Sequence, residues 1–115
     1  LTFKNEVLAM GIISHKKEQY NILWQKWHKE RINKKVVCRA IFSDENTEYC
    51  KIFKKMKFTE VRVLEGITPV AVDIMKDKVL IFTYGEEPSC LVIKNLEVAD
   101  SFKSFFETLW GVAKE

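Results

Sequence analysis

The sequence has few of the residues that build disulfide frameworks or metal centres. Its 115 residues include 2 histidines and 3 cysteines. There is no Cys-x-x-Cys pair, and His15 and His28 lack the spacing of metal ligands on a helix. We therefore expect no metal site and no cofactor. An odd set of widely separated thiols is typical of a reducing compartment, which predicts a cytoplasmic protein whose Cys38, Cys50 and Cys90 are small core hydrophobes.

Long apolar runs and a strong charge of one sign are also missing. No apolar run approaches the ~20 residues that a membrane span needs, and the net charge of +3 is too mild to indicate a nucleic acid or membrane ligand. The hydrophobic fraction of 47% and the length predict a single domain, residues 1–115, with a hydrophobic core. No signal peptide is visible, and the first residue is Leu1, so we expect a fragment or a processed chain.

The stretch Pro69–Gly85 is typical of a β-hairpin. Apolar residues alternate with others over Val70–Ile74, which is the period-2 pattern of a strand. A turn follows, and Val79–Phe82 is an unbroken apolar run. Because such a run indicates a strand covered on both faces, we expect this hairpin in the middle of the sheet.

The other segments alternate between strand and helix patterns. Strands are predicted at residues 6–11, 36–42, 60–64 and 90–93, and helices at 15–32, 44–56 and 96–114. Ser14 and Asn95 are the expected N-caps of the first and last helices. The last helix is expected to turn an apolar stripe inward: Val98, Phe102, Phe105, Phe106, Leu109 and Ala113. The order β-α-β-α-β-β-β-β-α predicts an α/β fold, a mixed β-sheet flanked by helices.

The hairpin resembles the catalytic hairpin of the phospholipase D superfamily, whose motif is His-x-Lys-x-x-x-x-Asp. With Asp77 placed on the family's Asp, Val70 stands where the nucleophilic His would be, and Val72 where the phosphate-holding Lys would be. Valine offers neither a lone pair nor a charge. The resemblance therefore implies a phospholipase D-like half-fold with a degenerate motif and no catalytic residue.

Most of the chain resembles the C-terminal effector domain of archaeal TrmB-type transcriptional regulators. The matching segments are, in chain order, Leu23–Arg31, Val36–Phe42, Thr68–Asp73, Tyr84–Pro88, Val92–Asn95, Ala99–Phe102 and Phe106–Trp110. Their order makes the resemblance more specific than any one segment. It implies a homodimer with a small-molecule effector as a candidate ligand, and DNA reached only through an attached winged helix-turn-helix, which no segment here resembles. From the lack of long apolar runs we expect no membrane partner.

Four residues of the first predicted helix share a face: Trp24, Trp27, His28 and Arg31. They suit a pocket wall, where Arg31 would bind an anion through its planar fork and the indoles would stack on a ligand. The alternative is that both tryptophans belong to the core and that Arg31 pairs with a carboxylate. We favour the core for the tryptophans and leave the role of Arg31 open.

Asp73 is the carboxylate that we expect beside Arg31. By alternation it points away from Val72, and a buried carboxylate needs a partner, so a structural Arg31–Asp73 pair is the preferred interpretation and a ligand contact the alternative. Tyr84, Gly85 and Glu86 form the corner where the resembling enzymes have phosphate-site residues. The acidic Glu86 would repel phosphate there.

Three function classes follow. The leading expectation is a non-catalytic dimerisation and effector-sensing domain of a TrmB-like transcription regulator. The enzyme alternative, a phospholipase D-like phosphodiesterase or nuclease, needs a nucleophile and a phosphate-holding cation that Val70 and Val72 do not supply. The third is a free-standing protein-interaction domain.

Overall fold

A computed structural model describes residues 6–12, 18–43, 48–66, 71–83, 87 and 89–115, with only the backbone described at 12 and 18–24. The elements are β1 (Val7–Ile12), α1 (Glu18–Asn33), β2 (Cys38–Phe42), α2 (Glu48–Lys54), β3 (Thr59–Val63), β4 (Ala71–Ile74), β5 (Lys78–Phe82), β6 (Cys90–Lys94) and α3 (Leu96–Val112). The predicted element order and the mixed α/β class are confirmed. The phospholipase D-like topology stays a prediction.

The six strands form one sheet in the order β3-β2-β1-β4-β5-β6. β1, β2 and β3 are parallel to one another, whereas β4 is antiparallel to β1 and the strands from β4 to β6 form an antiparallel meander. The predicted hairpin is β4–β5. β4 lies in the centre of the sheet, and β5 lies between β4 and the edge strand β6.

Alternation along the strands divides the core into two layers. One layer lies on the face covered by α1 and α2, and its buried members are Val7, Ala9, Cys38, Ala40, Phe42, Tyr49, Cys50, Phe53 and Val63. The opposite layer lies under α3, and its buried members are Leu8, Met10, Ile41, Val72, Ile74, Val79, Ala99 and Phe106. β1 and β2 contribute buried side chains to both layers, which explains why their sequences are nearly continuous apolar runs.

Two apolar side chains do not lie where the sequence patterns predicted. Cys90 is exposed on β6, whereas Cys38 and Cys50 are buried as expected. Phe105 is 51% exposed, although it belongs to the predicted inward stripe of α3. Glu107 on the same helix contacts Arg39 of β2, and Phe105 lies two residues, about 200°, around the helix from it. The helix therefore turns Phe105 to the flank opposite β2.

The C-terminal end of α1 and the start of α3 follow local capping rules. Lys35 adopts a left-handed φ of 59°, Val36 N–H donates to Arg31 C=O, and Lys35 N–H donates to Ile32 C=O. This is the Schellman arrangement that ends many helices. At α3 the side chain of Asn95 accepts from Val98 N–H at 3.0 Å, as predicted for its N-cap. The predicted cap at Ser14 lies outside the described residues.

Candidate functional site

Arg31 fastens the last turn of α1 to the beginnings of β2 and β3. Its Nη1 donates to Val36 C=O at 2.8 Å and to Phe58 C=O at 3.0 Å, and its Nη2 donates to Thr59 Oγ1 at 2.7 Å. Its Nε donates to His28 Nδ1 at 3.1 Å. The Schellman turn places Val36 C=O beside the Arg31 guanidinium. Phe58 adopts a left-handed φ of 55°, and its C=O also points to the guanidinium. Arg31 is buried and holds these segments together.

The predicted Arg31–Asp73 pair is wrong. The N–H groups of the guanidinium donate to two backbone carbonyls, a hydroxyl and an imidazole near the start of the parallel strands. Asp73 lies on β4, beyond β1, where it is in register with Ala9. The two charges are therefore held by different parts of the sheet.

His28 is buried between two aromatic rings. Its imidazole makes edge contacts with Trp27, at 4.8 Å between ring centroids, and with Phe53, at 4.6 Å. Burial, and secondarily the Arg31 charge, lowers the pKa of His28 to about 3. The imidazole is therefore neutral near pH 7 and can accept the Arg31 hydrogen bond through Nδ1.

The described part of this helix face suits a structural role better than a pocket wall. An open depression of about 180 Å³ lies beside it, lined by Val7, Trp27, Glu30, Arg31, Lys34 and Val36. Ligand pockets usually measure about 300 Å³ or more, and four of the five Arg31 N–H groups already donate to protein acceptors. The side chain of Trp24 lies outside the described residues.

Asp73 is a carboxylate with no counter-charge among the described residues. It lies on the α1-facing side of β4, between Ala9 of β1 and Leu80 of β5, and it is mostly buried. No described residue donates a hydrogen bond to it or forms an ion pair with it. Burial raises the pKa of Asp73 to about 7.

The positions of the degenerate phospholipase D motif have structural roles where they are described. Val72 is 5% exposed and packs in the layer under α3, on the face opposite Asp73, as alternation predicted. Asp77 is exposed in the β4–β5 turn, and its carbonyl accepts from Asn95 N–H at 2.9 Å. Val70, Tyr84, Gly85 and Glu86 lie outside the described residues.

Two arginines and two aromatic rings form a cluster that sequence reasoning missed. Arg39 of β2 binds Glu6 and Glu107 and lies 5.4 Å from the ring centroids of both Phe106 and Trp110. Its hydrogen bonds to Glu107 raise its pKa further above the usual range. The sequence feature that could have predicted the cluster is Arg39, a single arginine in an otherwise apolar strand, together with Phe106 and Trp110, two aromatic residues four positions apart on a helix.

Arg62 completes this cluster at the β3 edge. Its guanidinium carbon lies 4.4 Å above the centre of the Trp110 ring, and its Nη1 donates to Trp110 C=O at 2.6 Å. Glu115 lies 3.8 Å from Nη2. Beside it, Val63 and Lys114 exchange two backbone hydrogen bonds, so the C-terminal residues cover the end of β3.

At the other end of the sheet, β6 presents apolar side chains to solvent on both faces. Leu91 is 58% exposed and Val92 is 56% exposed. Leu91 is in register with Ile81, which packs under α3, so Leu91 lies on the α3-facing side. Val92 is in register with Leu80, which lies opposite Asp73, so Val92 lies on the α1-facing side. An edge strand that is apolar on both faces is unusual for a strand that remains in water.

The outer backbone groups of β6 are those of its first, third and fifth residues. Thr83 N–H donates to Ser89 C=O, and Asn95 N–H donates to Asp77 C=O. In an antiparallel ladder, hydrogen-bonded and non-hydrogen-bonded pairs alternate. With the β5–β6 register, Leu91 and Ile93 therefore bond to β5, whereas the N–H and C=O groups of Cys90, Val92 and Lys94 point away from the sheet.

Comparison with known proteins identifies no family, since no protein-family model and no curated protein matches the chain. Among the described residues, no group of three His, Cys, Asp or Glu side chains could hold a metal ion. None of the described helices is long and apolar enough to cross a membrane.

Proposed function

We propose that this chain is a non-catalytic regulatory domain that forms a homodimer, as its resemblance to the effector domain of archaeal TrmB-type transcriptional regulators implies. In that role the domain would bring two attached DNA-binding domains together and fix the spacing of their half-sites. The observation that carries the proposal is the β6 edge, where the outward backbone groups of Cys90, Val92 and Lys94 lie beside the exposed apolar side chains of Leu91 and Val92.

The environment of the motif positions supports the non-catalytic part of this proposal. A phosphate-holding lysine must keep its ammonium at the substrate. Val72 instead fills the layer under α3, where an ammonium would be desolvated without a partner. The Cys38 thiol, which interacts electrostatically with Arg31, is no better suited to catalysis, because burial raises the pKa of Cys38 to about 12.

Effector sensing is the less supported half of the proposal. Arg31, the expected anion ligand, is occupied by four protein acceptors, and Asp73 would face an effector only as a buried carboxylate. The dimerisation role therefore takes precedence in the test.

The test is the solution mass of the 115-residue chain across a concentration series. We expect sedimentation equilibrium to give twice the 13.5 kDa chain mass at micromolar concentrations. As a functional arm, fusing the chain to a repressor domain that binds its operator only as a dimer should restore repression. A monomer at 100 µM or above, together with an inactive fusion, would overturn the proposal.

The enzyme alternative has its own measurement. We expect no turnover of a chromogenic phosphodiester such as bis(p-nitrophenyl) phosphate. Turnover that survives purification of the chain to homogeneity and is lost in a His28→Ala variant would favour the phosphodiesterase class instead.

A further inference from the structure

We propose that two copies of this chain pair through β6, antiparallel and about a two-fold axis at Val92, so that the two six-stranded sheets join into one. This inference rests on the proposed homodimer and names its interface. Three features of one strand support it: backbone groups that point away from the sheet, apolar side chains on both faces and a self-complementary order of residues.

The backbone allows this register over the full strand. The outward N–H and C=O groups belong to Cys90, Val92 and Lys94, which are evenly spaced about Val92. A two-fold axis there places Val92 opposite the partner's Val92, and Cys90 opposite the partner's Lys94. Each of these pairs is then a hydrogen-bonded pair of the new ladder, and no outward group within β6 is left without a partner.

The side chains match in the same register. On the α1-facing side, Val92 meets the partner's Val92 on the axis. On the α3-facing side, Leu91 meets the partner's Ile93, and both are apolar. Lys94 meets Cys90, so the register keeps the two copies of Lys94 apart. Opposed apolar side chains stabilise antiparallel pairs, whereas opposed like charges destabilise them.

A second copy fits this edge better than an unrelated peptide does. A two-fold interface requires one patch to complement itself, and the order Cys-Leu-Val-Ile-Lys does so about its central residue. Edge strands that remain in water are usually protected by proline, bulges or charges pointing inward. From Cys90 to Ile93 the strand has none of these, and its register with β5 is unbroken.

The first test places a charge on the axis. In Val92→Lys two ammonium groups would face each other, so we expect the dimer Kd to rise about 100-fold or more. Ile52→Lys is the matched control: Ile52 lies on α2, is 38% exposed, and has no part in the proposed interface. Sedimentation should show a monomer for Val92→Lys and a dimer for Ile52→Lys, with far-ultraviolet circular dichroism unchanged in both.

The second test does not depend on the folding of the lysine variant. In a hydrogen-bonded antiparallel pair the Cα atoms lie about 5.5 Å apart, within the range of a disulfide. We therefore expect Val92→Cys in a Cys90→Ser background to form a covalent dimer on mild oxidation. Ile52→Cys in the same background should not. Native Cys90 should not cross-link either, because the register places it opposite Lys94.

The outcomes separate this inference from the proposed function. If the native chain is a monomer at 100 µM or above and the repressor fusion is inactive, both fall. If the native chain is a dimer but Val92→Lys is also a dimer and Val92→Cys does not cross-link, the dimer uses another surface and only the β6 interface is wrong. Cross-linking through native Cys90 would overturn the register. A native monomer whose β6 is protected from hydrogen exchange only by an added peptide would identify a different occupant.

Discussion

The two edges of the sheet are built in opposite ways. At the β3 edge, Arg62 lies over Trp110, and Lys114 bonds to the backbone of Val63. At the β6 edge, Leu91 and Val92 are more than half exposed, and no described strand pairs with their outer side. Charge and a covering segment deter further pairing at the first edge. The second edge keeps the features that favour pairing.

The contrast extends inward from the edges. The parallel half of the sheet places Arg31, Arg39 and Arg62 on defined partners. In the antiparallel half, no described residue supplies a counter-charge to Asp73. In the same half, Lys78 lies directly opposite Lys94 across β5 and β6. Opposed like charges weaken a strand pair. The three arginines of the parallel half therefore have partners within the chain, whereas Asp73 has no described partner and Lys78 lies opposite a like charge.

The largest expected effect tests the parallel half. Arg31→Ala removes the donors to Val36 C=O, Phe58 C=O, Thr59 and His28 at once. Because buried acceptors left without donors are costly, we expect the free energy of unfolding to fall by about 3–5 kcal/mol. Urea denaturation at one fixed protein concentration measures it, since dimer stability depends on concentration.

Lys34→Ala is the control for Arg31→Ala. Lys34 is exposed in the turn after α1, and exposed substitutions usually change stability by no more than ~0.5 kcal/mol. Coincident transitions for Arg31→Ala and the native chain would mean that the beginnings of β2 and β3 do not depend on this side chain, and the contrast between the two halves would lose its main support.

The next largest effect tests the antiparallel half. Burial raises the pKa of Asp73 to about 7, above the ~3.9 of an unfolded aspartate. Between about pH 4 and 7 the folded carboxyl keeps a proton that the unfolded one has released, so Asp73 lowers the free energy of unfolding as pH rises through this window. We expect Asp73→Asn to be more stable at pH 8, by ~2–4 kcal/mol.

The pH dependence is the check on Asp73→Asn. The stability difference from the native chain should shrink below pH 7 and disappear near pH 3, where both folded and unfolded carboxyls are protonated. Denaturation curves at pH 3, 5 and 8 measure it. A difference that does not vary with pH would show that the asparagine acts through packing and that Asp73 ionises normally.

The smallest expected effect concerns the β3 edge, which Arg62 and the C-terminal residues cover. Arg62→Ala removes the contact with the Trp110 ring and the hydrogen bond to Trp110 C=O. We therefore expect the free energy of unfolding to fall by about 1–2 kcal/mol. Amide hydrogen exchange at Val63 and Lys114 should become faster. Lys51→Ala, which removes only an exposed ion pair with Glu48, should change neither quantity. Unchanged exchange in Arg62→Ala would mean that the C-terminal residues protect β3 without Arg62.

Local pattern was enough to predict the elements and their order. Period 2 in the strands, helical spacing in α3 and the cap at Asn95 all depend on near neighbours in the chain, and the structure confirms them. Val72 and Asp73 occupy opposite faces of β4 for the same reason. The partners of Arg31 could not be predicted, because three of its four bonds reach residues outside α1 and two of the acceptors are backbone carbonyls, which every residue has.

Which strands lie next to one another in the sheet could not be predicted from the sequence either. The stretch from Cys90 to Ile93 resembles a covered strand as closely as Val79–Phe82 does, yet β6 is an edge and β5 is not. The exposure of Phe105 likewise depends on how α3 crosses the sheet. Both facts were decided by the packing of distant segments.

By itself the sequence determined an α/β chain of six strands and three helices, with valine at a position where the resembling enzymes need a charged side chain. Only the tertiary structure decided which strand edge is covered and which is open, and which groups hold the buried arginines. The physical reason is range: periodicity records whether one face of a segment is buried, whereas the identity of its neighbours depends on contacts between residues far apart in the chain.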